Sequence, residues 1–395
     1  MKFFDPTNLA YPEGSSGRDL RIDFLRGMVM MVVIVVHLEF ASLLGMFAWG
    51  RVGLISSAEG FVGLSGLVAG IVYRRKAEKN GFRTTAKQLF KRAFLLYRVN
   101  VVVILSIAVL ALFPFIDVNE LTHWSSVDGK GPVFDLYPPQ HTPWTRVIIQ
   151  ALLLEIGPHQ FQVIGLYVVM LALAPLFLYL MVQRKTFYLL ALSWALYVVS
   201  QVHPIRLTGA RFEYGFPLLN WQLLFINSMV AGHHLEKIAA WFQARNARPI
   251  LITCMLMVLT FLVLANNREH PTFWPGPQFS LIPAQLVTTW DHLYFQKGSL
   301  GFGRVLNNLV IYIIAYYLLT RYWRLFERGL GWLLIPVGQA SLYVFITHIY
   351  VILMVYNTPL PGYDNFFINT LVHVFAILAI WWMVKRKFLF TLVPR

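Results

Sequence analysis

Arg26 and His37 stand eleven residues apart in RDLRIDFLRGMVMMVVIVVH, residues 18–37. On a helix that spacing returns both side chains to one face, about 16 Å apart along the axis. An imidazole titrates near neutrality and is the natural general base there. An ionisable group inside an apolar run is costly in lipid and tends to face a cavity or a pathway. His37 is therefore the first candidate for catalysis, with a packed, hydrogen-bonded core histidine as the plainer alternative.

Glu59, in AEGFVGLSGLVAG, is the second catalytic candidate. Positions 59, 63, 66 and 70 share a helical face, so its carboxylate stands on a stripe of Gly63, Gly66 and Gly70. Small residues let helices approach closely, which predicts packing of this face on a neighbour, most simply helix one. Counting residues from each membrane edge puts Glu59 within about 5 Å of His37 in depth, so that it could orient the imidazole. Glu39 lies about 200° round a continuous helix one from His37 and is not expected to be that partner.

Arg92 and Arg98 open helix three after the densest basic loop. Guanidinium forks suit phosphate and carboxylate, so these two and Arg26 are candidates for an anionic donor, snorkelling being the alternative. Asp23 and Arg26, three apart, are spaced for a local pair. His348 lies in GQASLYVFITHIY with Gln339 and Ser341 deeper, and reads as a supporting, hydrogen-bonding histidine. Asn220, Trp221 and Gln222 open helix six, as a cavity mouth or part of an aromatic belt. Trp124, Phe134, Tyr137, Trp144, Phe273, Trp274, Trp290 and Tyr294 of the outer loops offer flat faces suited to sugar rings or to belt anchoring.

The elements that must position these residues follow from composition. The chain is 57% hydrophobic and 15% aromatic, and its apolar runs of about twenty residues each suffice to cross a bilayer. Backbone in lipid must bond to itself, so the expected class is all-α, a polytopic transmembrane bundle of about ten helices. They are placed at 26–47, 52–73, 93–114, 161–182, 186–202, 218–236, 249–266, 306–322, 332–356 and 367–384. The net charge of +15 lies mainly in alternate loops, which is a topology signal rather than a nucleic-acid footprint and puts both termini in the cytoplasm. An N-terminal segment, 1–25, precedes a single transmembrane domain, 26–388, with long periplasmic loops at about 115–145 and 267–304. Trp144 to Gly157 reads as an interfacial or re-entrant half-helix. The first helix reads as uncleaved, and Leu392–Arg395 as a tag remnant. Cys254, the single cysteine, reads as a small core hydrophobe, and no metal site is expected.

RDLRIDFLRG with an in-helix histidine, AEGFVGLSGLVAG, a basic loop ending KRAFLLYR, NWQLLF and SLYVFITH together resemble the OpgC family, succinyltransferases of osmoregulated periplasmic glucans. That family sits within the integral-membrane acyltransferase superfamily, acyltransferase family three, whose arginine and histidine eleven apart match Arg26 and His37. The superfamily often has two arginines three apart at the start of its third helix. Here Arg92 and Arg98 are six apart, and either can inherit the donor role. The resemblance implies a multi-pass protein of the bacterial inner membrane. It would move a succinyl group from cytoplasmic succinyl-CoA, a substrate rather than a bound cofactor, to hydroxyls of periplasmic glucan. His37 would be base or acyl carrier. The alternatives are an O-acetyltransferase of another surface polysaccharide, or a transporter or flippase of an anionic metabolite.

Overall fold

The computed structural model describes residues 9–12, 18–48, 50–125, 132–244, 247–268, 278–359 and 365–394. Of the aromatics singled out above, Phe273 and Trp274 lie outside the described residues. The chain is helical almost throughout. In order, α1 is Leu20–His37, α2 Ser57–Asn80, α3 Phe82–Leu110, α4 Asn119–Thr122, α5 Trp144–Leu152, α6 Gln162–Val182, α7 Thr186–Val202 and α8 Phe212–Gly215. Then come α9 Leu218–His233, α10 Leu235–Ala244, α11 Arg248–Asn267, α12 Ala284–Tyr294, α13 Phe302–Arg321, α14 Trp323–Phe326, α15 Trp332–Gln339, α16 Ser341–Tyr356 and α17 Phe366–Lys385. Among the described residues the one sheet is a two-residue ladder, β1 His123–Trp124 antiparallel to β2 Phe134–Asp135, with Trp124 opposite Phe134.

Each expected span overlaps a helix, yet by length and composition only five of the described helices can cross a membrane, or six if one bent pair counts as a single span. The five are Phe82–Leu110, His159–Val182, Arg248–Asn267, Phe302–Arg321 and Phe366–Lys385. The others are charged, as are α1 and α2, or short, as are α7, α9 and α16. Helix α9 shows why that is tolerated. Trp221, Phe225 and Met229 are fully buried, so this helix is solvated by neighbouring helices rather than by lipid.

Several expected boundaries move. The basic stretch before the third span is helical, since α2 runs to Asn80 and α3 begins at Phe82 rather than at residue 93, so Arg92 and Arg98 lie inside α3 rather than at its start. Helix α1 stops at His37 instead of running to residue 47: Leu38 is its C-cap and Glu39 takes a φ of 45°. The expected span at 332–356 is broken, since the Trp323–Gln339 segment meets Ser341–Tyr356 at 91°. Pro336 inside α15 removes a helical hydrogen bond, and the chain turns at Ala340.

Close approach of backbones sets the helix neighbours. A Cβ on Gly66 would lie 2.4 Å from the Phe225 carbonyl oxygen and one on Gly70 2.1 Å from that of Met229, so these two glycines of the α2 stripe pack on α9 rather than on α1, while Gly63 faces Tyr312 of α13. Helix α1 packs on α15, where a Cβ on Gly338 would stand 1.8 Å from the Asp23 carbonyl oxygen. The main core lies between these pairs and α3, α6, α16 and α17, with Phe161, Tyr343 and Phe345 fully buried in it. Cys254 is buried in a smaller cluster between α11 and α13.

Candidate active site

The two ends of α1 carry different groups. At its N-terminal end Asp23 is buried and accepts from Arg18 Nη2 at 2.7 Å, with Arg26 at 3.9 Å on the next turn. The expected Asp23–Arg26 pair is present but is the looser of the two. Arg26 Nη2 donates to the Ser341 hydroxyl, a contact made possible by the glycine crossing of α1 on α15 and the turn that follows. Arg92 on α3 is half-buried, within electrostatic reach of Arg26 and Tyr73. Arg98 is exposed on the other side of α3, with its guanidinium 6.0 Å from the Phe94 ring centre. The fold thus brings Asp23, Arg26 and Ser341 together, sets Arg92 within electrostatic reach of Arg26 and leaves Arg98 apart.

At the C-terminal end, His37 Nδ1 lies 2.9 Å from His348 Nε2, the two rings meeting edge to edge with their centres 5.1 Å apart and their planes 25° apart. His348 is itself buried, and its Nδ1 sits 2.7 Å from the Phe345 carbonyl oxygen one turn back on α16. His159 presents its ring edge-on to His37 at 6.4 Å. Its Nε2 lies 3.0 Å from Glu39 Oε1. His159 carries no signal in the sequence, and Glu39, which a continuous helix would turn away from His37, reaches this cluster through His159. A non-glycine residue in the left-handed region costs about 1–3 kcal/mol and persists where its surroundings over-determine it. At Glu39 that turn swings the carboxylate out of the helical position assumed above and onto His159. Among the described residues no set of three His, Cys, Asp or Glu side chains is placed to hold a metal ion.

Glu59 is not bonded to His37. It is the third residue of α2, where Oε2 accepts the Ser56 backbone N–H at 3.0 Å and the Ser56 hydroxyl, while Oε1 accepts from Arg304 of α13. Both oxygens are saturated inside the protein. Equal depth in the membrane fixes height but not direction, and Glu59 turns to Arg304 of α13. A readable signal was present in the serine three residues before the glutamate at a helix start, which is a capping box.

Gln222 and its neighbours are structural anchors. Gln222 binds Ser193 of α7 through both ends of its amide, at 2.7 and 2.8 Å. Asn220 Nδ2 donates to the Ser299 carbonyl at 2.9 Å, and Trp221 Nε1 to that of Gly298 at 3.2 Å. These bonds hold the 295–301 turn, which Arg304 also grips through the Phe295 carbonyl at 3.3 Å. The turn carries Lys297, exposed and within electrostatic reach of His37, Glu59 and Glu39.

Five or six helices able to cross a membrane mark the class as a helical membrane protein, with two histidines in contact where α1 ends. The chain belongs to the OpgC protein family, whose sequence profile matches residues 18–390. Membership implies an acyltransferase that acts on glucan in general terms. No curated protein and no solved structure matches the chain.

Proposed function

We propose that this protein is an O-succinyltransferase that moves a succinyl group from succinyl-CoA, on the cytoplasmic side, to a hydroxyl of periplasmic glucan. The observation that carries the reading is His37 at the end of α1, held against His348 in a chain of this family. A sugar hydroxyl is a weak nucleophile at neutral pH and needs a base as it attacks. His37 takes the hydroxyl proton, the sugar oxygen bonds to the acyl carbon, the carbon–sulfur bond breaks, and the CoA thiolate leaves with the proton that His37 returns. An acyl-histidine intermediate is the competing route.

Arg26 and Arg92 at the other end of α1 supply paired cations for the phosphates of CoA, with Asp23 and Ser341 fixing Arg26. The pantetheine arm, thin and uncharged, runs along α1 toward His37. Lys297 favours succinyl over acetyl. Its ammonium has no hydrogen-bond or salt-bridge partner among the described residues, because Glu59 is taken by Arg304 and Glu39 by His159. A carboxylate at the far end of the acyl chain would meet it. Purified protein incubated with labelled succinyl-CoA and glucan is expected to yield free CoA and esterified sugar, faster than with acetyl-CoA. Uptake of a labelled anion into vesicles without any ester would overturn the enzyme reading in favour of transport. Equal rates with acetyl-CoA would overturn the donor.

A further inference from the structure

The strongest unassigned geometry is the hydrogen-bond chain running from His37 through His348 to a backbone carbonyl. A carbonyl oxygen only accepts, so His348 Nδ1, 2.7 Å from the Phe345 oxygen, must carry a hydrogen. A neutral imidazole has one N–H, which leaves His348 Nε2 as a bare acceptor. The hydrogen in the 2.9 Å contact between the two rings therefore belongs to His37 Nδ1. A doubly protonated His348 is disfavoured where it sits, 1% exposed and with no carboxylate in contact among the described residues, because an uncompensated charge there is costly.

We propose that His348 is a positioning residue that fixes the Nδ1–H tautomer of His37, so that Nε2 is the nitrogen that meets the substrate. This rests on the acyl-transfer reading above. The hydroxyl proton goes to His37 Nε2 as the carbon–oxygen bond forms. The imidazolium that results keeps its Nδ1–H bonded to His348 Nε2, now as a charge-assisted bond and so a stronger one. When the carbon–sulfur bond breaks, the Nε2 proton passes to the thiolate and His37 returns to its starting tautomer. His348 changes neither its charge nor its proton. It acts by holding its neighbour, and the bond it accepts strengthens only as charge develops, which is the condition for lowering a barrier.

The decisive comparison is His348→Gln against His348→Leu. A glutamine carbonyl can accept the His37 Nδ1–H, whereas leucine fills the space and accepts nothing. His348→Leu is expected to lower kcat about 100-fold or more with KM for the donor unchanged, and His348→Gln to stay within about tenfold of wild type. Equal losses in two folded variants, or full turnover by His348→Leu, would overturn the proposal. A second readout does not depend on either variant folding. In ¹⁵N-histidine-labelled wild-type protein, with His37→Ala used for assignment, the protonated nitrogen of His37 is expected to be Nδ1. A proton found on Nε2 would overturn the proposal by itself. Absence of acyl transfer by wild-type protein would instead sink the function while leaving the tautomer result standing.

Discussion

The two ends of α1 are built by opposite means. At the N-terminal end the geometry comes from backbone contact: Gly338 of α15 lies so close to Asp23 that no side chain fits between, and Arg26 meets Ser341 as a consequence. At the C-terminal end no glycine makes such a contact among the described residues. The helix stops, Glu39 takes a left-handed turn, and His37 is flanked by His348, 311 residues away along the chain, and by His159, which Glu39 bonds across 120 residues. The first end is a fixed cationic fork and the second a chain of proton-carrying groups. On the function proposed above, donor binding falls to the part set by helix packing. Proton transfer falls to the part where ring orientation and tautomer can be tuned one contact at a time.

That contrast can be broken or sharpened by substitution, and the largest effect should come from the histidine. His37→Ala is expected to abolish transfer to glucan while CoA binding, followed by calorimetry, is kept. Loss of both together would mean that the two ends are not separable.

Glu59→Gln should act on the fold rather than on the chemistry. It leaves Arg304 buried without its anion, a change that typically costs about 3–5 kcal/mol. A marked drop in melting temperature is the expected result, and a normally stable but inactive variant would instead return Glu59 to a catalytic part. At the other end, Arg92→Ala is expected to weaken CoA binding about 10- to 150-fold, the scale of one lost charged hydrogen bond of about 1.5–3 kcal/mol, and Arg98→Ala to leave it unchanged. The reverse ranking would move the donor site to the exposed face of α3.

The smallest effect concerns pH. Glu120 of α4 is pushed up to about 7 by burial first, then by Glu39 and Asp117. A carboxyl raised in this way favours the protonated form in the folded protein. Its stability contribution is full below the ordinary value of 4.5 and is lost as pH rises through about 7. Glu120→Gln is permanently neutral, so its melting temperature should match wild type near pH 4 and exceed it at pH 8.

How far the sequence reached differs between the two ends. The Arg26–His37 face was legible because helical periodicity is local and a charged residue in an apolar run has few explanations. So was the Asp23–Arg26 pair, three residues apart on one helix. The glycine stripe on α2 was legible as a close-packing face, but its partner was not: spacing says that a helix can approach, and the fold chose α9 for Gly66 and Gly70. His159 carried no local signal, since it sits in a short turn after Pro158 and gains meaning only beside Glu39 and His37. Glu39 was set aside on the assumption of an unbroken helix, and no glycine or proline marks the stop.

The sequence by itself determined the helical class, the line of charge and imidazole along α1, and the family, because these depend on composition and on spacings within one element. The tertiary structure alone decided which groups meet: Arg26 with Ser341, Glu59 with Arg304, His37 with His348. Partners that far apart in the chain are selected by how helices cross, and a crossing is fixed by the fit of whole helix faces rather than by any residue read singly.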